Sequence, residues 1–151
     1  MKEFDEKCNF LFEQLGKGKK MVLSTSSDDR VTSRMMCIGI IDNQFYFQTD
    51  RNFRKYEQLK VNPNVALCFE NIQIEGICKE TGKPLENEKF CNLYKEVFRN
   101  SYENYSSLEN ERLFIINPVY IQKWIYENGE PYLEKFDFVK NTYKKEKYIQ
   151  K

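Results

Sequence analysis

A chain of 151 residues with 40% hydrophobic side chains can bury a core without disulfides or metals, so one domain spanning 1–151 is expected. Lys and Arg number 24 against 23 Asp and Glu, a net charge of +1, which excludes a global field drawing the protein to nucleic acid or an anionic membrane. Histidine is absent, which removes Ser-His and Cys-His nucleophile pairs, histidine metal sites and histidine-ligated haem together.

An enzyme of this composition needs a bound organic cofactor to carry its chemistry. The five cysteines are odd in number, widely spaced and without a CxxC pair. They read as reduced thiols, with neither a disulfide framework nor a structural zinc site, and Cys37, Cys68 and Cys78 as small core residues. The opening "MKEFDEKCNFLFEQLGKGKK" is charged throughout and has no apolar h-region, and no run has the length of a membrane span. A cytoplasmic protein with no membrane partner is expected.

Along the chain, residues 2–16 place Phe4, Cys8, Leu11, Phe12 and Leu15 at a helical period, ended by Gly16 and Gly18. "KKMVLSTSS", "VTSRMMCIGII" and "FYFQT" read as three strands joined by polar turns. The aromatic side chains of "QFYFQ" are expected to be strand packing. A short helix follows, then a turn at Asn62-Pro63-Asn64 and two strands, "NVALCFE" and "IQIEGICKE". Residues 86–100 read as a helix, "SYENYSSLENE" as a polar loop or frayed helix, and "RLFIINPVYIQKWIY" as a long strand with Pro118 at an edge or bulge. "YLEKF" is a last short strand, and the lysine-rich segment after Asn141 is expected to be loosely held. Successive strands with tight turns and few helices predict a mainly β fold, a six-stranded antiparallel barrel with flanking helices.

The chemistry concentrates in two places. "QTDRNFRKY" sets Arg51, Arg54 and Lys55 at a helix start, where the helix dipole disfavours cations. Arg34 interrupts an otherwise apolar strand in "SRMMC". Each alone reads as a solvated charge. Together, with Gln48 and Thr49 at a strand end and Asp50 or Asn52 as a helix cap, Arg34, Arg54 and Lys55 form a cradle for a phosphate, and Arg51 is left as an exposed charge.

"RMMCIG", "FYFQTDRNFRKYEQLKVNPNVALCF" and "IQIEGICKE", in this order and spacing, resemble the FMN-binding split-barrel family, whose best-known member is pyridoxamine 5′-phosphate oxidase. The resemblance covers residues 20–80 well and "FIINPVYIQKWIYENG" more loosely. It implies a Greek-key split barrel in which Arg34, Arg54 and Lys55 hold the FMN phosphate. Met35, Met36 and Cys37 would meet the flavin through their main chain, with Gln48, Thr49 and Asn71 beside it. Trp124 would stack near the flavin or substrate, or else anchor a core or subunit contact. It also implies a homodimer with FMN at the interface.

Where the oxidases of that family have a lysine, this chain has Gly39, and their C-terminal Arg/His substrate motif is missing. Vitamin B6 oxidation is therefore not expected. The chain is more similar to the short nitroimidazole-reductase and general-stress-protein members, although it lacks the histidine that several of the former carry beside the flavin. The expected function is an FMN-dependent oxidoreductase passing electrons from NAD(P)H to a small acceptor, a nitroaromatic, a quinone or a flavin. A flavin store or sensor with little turnover and a phosphate- or nucleic-acid-binding barrel stand as alternatives. Near-zero net charge and interleaved acidic residues weigh against the last. No individual catalytic residue is assigned.

Overall fold

The computed structural model describes residues 2–150. Helix α1 (Lys2–Leu15) buries the five residues its periodicity singles out, Phe4, Cys8, Leu11, Phe12 and Leu15. Gly16 then takes a left-handed backbone, φ 74°, and its N–H reaches back to the Phe12 carbonyl.

Strands β1 (Gly18–Ser27), β2 (Arg30–Ile41) and β3 (Gln44–Asp50) follow as two hairpins. Each two-residue turn, Asp28-Asp29 and Asp42-Asn43, has positive φ at both positions, the hand that matches strand twist. Helix α2 (Arg54–Val61) crosses to β4 (Asn64–Phe69) and β5 (Ile72–Glu80). Helices α3 (Glu88–Val97) and α4 (Arg99–Tyr105) come next, then the long β6 (Glu111–Glu127), β7 (Glu130–Asp137) and β8 (Thr142–Lys147).

The strands hydrogen-bond in the order β3-β2-β1-β4-β5-β6-β7-β8, and β3 also pairs with β6. That last pairing closes six antiparallel strands into a barrel, as expected. The run β4-β1-β2-β3 is a Greek key. Strand β6 serves two purposes. Its first part, to Ile116, pairs with β3 and closes the barrel, and its part from Tyr120 to Glu127 pairs with β7 outside it. The change occurs at Pro118: Glu75 pairs with Tyr120 but Gly76 with Pro118, so Val119 is a bulged residue.

Two apolar layers result. The barrel interior holds Met21, Leu23, Ile38, Phe45, Phe47, Leu67, Ile74, Ile116 and Ile121 together with the buried face of α1. A second cluster, Tyr46, Phe90, Tyr94 and Leu113, lies outside β3 and β6, where α3 packs. The aromatic run of β3 is thus core on both faces.

Three local expectations need correction. The segment after Asn141 is strand β8, because Tyr143 packs its ring 5.1 Å from Phe136 and donates its hydroxyl to Glu134. The helix expected over 86–100 breaks at Phe98, φ −130° and ψ 54°, whose ring is drawn against Tyr94. The stretch 101–111, read as a polar loop or frayed helix, is helical in its first part as α4 and a loop beyond it. Cys78 is buried, whereas Cys37 is half-buried and Cys68 exposed.

Candidate functional site

The barrel is split between β2 and β3. Although β2 has twelve residues, it pairs with β3 only through Gly39, Ile40 and Ile41. Below that point β3 leans to β6, and the facing edges separate. Strand alternation makes the main chain of odd-numbered β2 residues face this gap, since Ile40 donates instead to the Lys17 carbonyl on the β1 side. The Cys37 carbonyl is taken by the Tyr94 hydroxyl of α3. The main-chain N–H and C=O of Met35 are directed the same way. Across the gap, the edge of β3 presents Gln48 and Asp50.

A cavity of about 330 Å³ fills the gap, a volume within the range of small-molecule sites. Met35, Met36, Cys37, Gln48, Thr49 and Lys55 line it, six of the ten residues expected at the site. Tyr94, Ser101, Tyr105 and Leu108 roof it from α3, α4 and the loop beyond. Gln48 fixes that roof: its amide accepts from Ser106 Oγ at 2.6 Å and donates to the Ser101 carbonyl at 3.4 Å.

One cation lines the cavity and a second lies behind its wall. Lys55 is buried, its Nζ donating to Thr49 Oγ1 at 3.1 Å and lying 4.8 Å from the Phe53 ring centroid. Arg34 lies behind the cavity wall, on the interior face of β2 rather than the solvent face. Its guanidinium donates to the Leu23 carbonyl at 3.1 Å, to Thr25 Oγ1 at 2.9 Å and to Thr32 Oγ1. Gln58 of α2 accepts from the same two hydroxyls, so helix, strands and guanidinium form one polar cluster. Burial lowers the pKa of both groups, and Arg34 lowers that of Lys55 further by charge repulsion. Among the described residues, neither makes an ion pair with a carboxylate.

Arg54 is exposed at the first position of α2 and makes no ion pair among the described residues. The helix starts at Phe53 without a side-chain cap: the Phe53 N–H goes to the Asp50 carbonyl, and among the described residues neither the Asp50 nor the Asn52 side chain accepts from the first turn. Asp50 instead accepts the Asn52 main-chain N–H in the preceding turn. Arg51 reaches away, to Asn110.

Asn71 and Trp124 are not brought to this cavity within one chain. They hold each other, Asn71 Nδ2 donating to the Trp124 carbonyl at 2.6 Å and Trp124 N–H to the Asn71 carbonyl at 3.2 Å. The Trp124 ring packs with Tyr126 and Tyr148 on the β6–β8 extension.

Glu111 escaped the sequence reading. It opens β6 opposite Asp50, is only 6% exposed, and lines the cavity. Burial first, and Asp50 second, push its carboxyl up to about 7, with Lys55 opposing. Its signal in the sequence is slight: an acidic residue starting the apolar strand "ERLFII".

Among the described residues no helix is long and apolar enough to cross a membrane. No family model matches the sequence, and no curated protein matches it. Solved structures do. General stress protein 26 from Bacillus anthracis is 26% identical, with a TM-score of 0.58 over 77% of this chain and 89% of that one. A pyridoxamine 5′-phosphate oxidase-related, FMN-binding protein from Nostoc punctiforme is 15% identical, with a TM-score of 0.59 over 98% of this chain and 94% of that one. A NimC/NimA family protein from Clostridium acetobutylicum is 12% identical, with a TM-score of 0.57 over 96% and 94%. The closed six-stranded barrel, split between β2 and β3, is the fold of the pyridoxamine 5′-phosphate oxidase-like, FMN-binding split-barrel proteins, and this chain shares it.

Proposed function

We propose that the cavity binds FMN and that the protein is an FMN-dependent oxidoreductase. The observation that carries the reading is a buried lysine in the cavity wall, Lys55, with the half-buried Arg34 behind that wall. The two repel each other, and among the described residues neither is ion-paired to a carboxylate. A phosphate would reverse that penalty, and Arg54 with the uncapped start of α2 adds charge and N–H donors beside it. The remainder of the cavity fits the rest of the molecule. The Met35 main chain offers a donor and an acceptor at the strand edge, and Met35, Tyr105 and Leu108 give apolar surface for a flat ring.

When bound, FMN supplies the electron-transfer chemistry. This chain's residues hold the phosphate, orient the ring against the β2 edge, and exclude water through the roof of α3 and α4. NAD(P)H as donor and a nitroaromatic, quinone or flavin as acceptor complete the proposal. The physiological form is a homodimer with the cavity at its interface, where Asn71 and Trp124 are the residues a second copy would contribute.

The test is equilibrium binding of FMN and riboflavin, followed by flavin fluorescence. Replacing Arg54 and Lys55 together with Ala should weaken FMN about tenfold or more, the value of one or two charge-assisted hydrogen bonds. Riboflavin, which has no phosphate, should change little. Equal losses for both ligands contradict the cradle. Anaerobic mixing of the FMN-loaded protein with NADH or NADPH separates an oxidoreductase, whose flavin absorbance bleaches, from a flavin store, whose absorbance stays.

A further inference from the structure

Glu111 is an acidic residue in the wall of a cavity whose proposed ligand is itself an anion. It is buried to 6% exposure in the wall of the cavity that Lys55 also lines. Among the described residues its carboxyl takes part in no hydrogen bond and no ion pair, although its main-chain N–H and carbonyl are both engaged. No side-chain oxygen among those residues is both sealed from solvent and unpartnered, so this carboxyl keeps an opening, and the cavity is where Glu111 has surface. An unpartnered, nine-tenths buried acid facing a cavity is placed to meet a ligand.

The groups around it define what it can do. Asp50 of β3 is directly opposite in the register and repels a negative Glu111. Lys55 of α2 attracts it. Tyr94 of α3 is close enough to feel its charge. Arg112, next in the strand, is directed to Glu80. A phosphate held by Lys55 would cancel the one attraction that favours the ionised form and leave Asp50 and burial, which both favour the neutral acid.

We propose that Glu111 is a ligand-binding residue that takes up a proton when a phosphate-bearing ligand enters, and that the resulting neutral acid donates a hydrogen bond into the cavity. Binding of such a ligand is therefore coupled to uptake of up to one proton from solvent. The inference rests on the FMN reading for the identity of the ligand. With the carboxyl at about 7 before binding, affinity falls as pH rises above neutrality, by no more than about tenfold per pH unit for one linked proton. The ligand's own phosphate works in the opposite sense, since its second ionisation near about pH 6 makes it a better anion as pH rises.

The experiment is FMN binding at pH 6.5, 7.5 and 8.5 for the wild type and for Glu111→Gln, with riboflavin as the phosphate-free control. Proton uptake is read by calorimetry in two buffers of different ionisation enthalpy. The wild type should lose FMN affinity several-fold across this range and take up protons at pH 7.5. Glu111→Gln, which keeps the shape and a hydrogen-bond donor, should bind FMN at pH 8.5 several-fold more tightly than the wild type. It should also show no linked proton. Glu111→Ala should lose the pH dependence without the gain at high pH. Wild-type FMN affinity that shows the same pH profile as Glu111→Gln overturns the role of Glu111. FMN that fails to bind the wild type at any pH overturns the FMN reading instead, so the two failures are distinct.

Discussion

At the scale of single residues, the site is organised by charges that have no partner. Arg34 interrupts an apolar strand, and the structure turns it inward, onto Leu23, Thr25 and Thr32. Glu111 shows the opposite case, a buried acid that weakens the ligand-free fold. The folded chain holds its proton up to about 7, against the ordinary value of 4.5, so it binds that proton more tightly than the unfolded chain does. The stability contributed by that proton is fully present below pH 4.5 and is lost as pH rises through about 7. Replacing Glu111 with Gln should therefore raise the unfolding free energy of the ligand-free protein at pH 8 by about 1–3 kcal/mol. Little change is expected at pH 4.5. Denaturant titrations at both pH values measure the difference, and an equal effect at both would assign the cost to packing instead of charge.

At the scale of elements, α3 explains a departure that the sequence only recorded. Gly39 stands where the family's oxidases have a lysine, and here a Cβ at this position would sit 2.6 Å from Leu93 Cδ2 of α3. The tip of Leu93 occupies the space such a side chain would need and would have to move to admit it. The bulge at Val119 makes a second demand. A Cβ on Gly76, opposite Pro118, would meet Ile116 Cγ2 at 2.5 Å and the Asn117 carbonyl oxygen at 2.8 Å. Main chain cannot rotate away as a flexible side-chain tip can. Gly76→Ala should destabilise the fold by about 1–3 kcal/mol, read as a lower denaturant midpoint at unchanged slope. Gly39→Ala should cost less, because the Leu93 tip can yield. The reverse order would mean that the bulge relaxes more easily than α3 does.

At the scale of the whole molecule, the cavity is rimmed by exposed apolar side chains: Met35 at 61%, Phe53 at 55%, Tyr105 at 52% and Leu108 at 47%. Four such residues around one opening are the surface a second copy would cover. Sedimentation should accordingly give twice the chain mass of 18.3 kDa, and Phe53→Glu with Leu108→Glu should shift it toward monomer and weaken FMN together. A monomeric wild type that binds FMN at full affinity would contradict the shared site. The periodicity of α1, the alternation of the strands, the turns and the cation-rich start of α2 are local features, and sequence alone determined them because each depends on residues a few positions apart. Its resemblance to a known barrel also led to six of the cavity's lining residues. Tertiary structure alone decided the rest. It turned Arg34 inward, made a strand of residues 142–147 through Tyr143 and Phe136, and kept Asn71 and Trp124 away from the cavity in a single chain. It also buried Glu111 in the wall of the cavity. The reason is physical: burial and field at a charged group are set by whatever packs across from it, and for Glu111 those neighbours are Asp50 and Lys55, about fifty to sixty residues earlier in the chain.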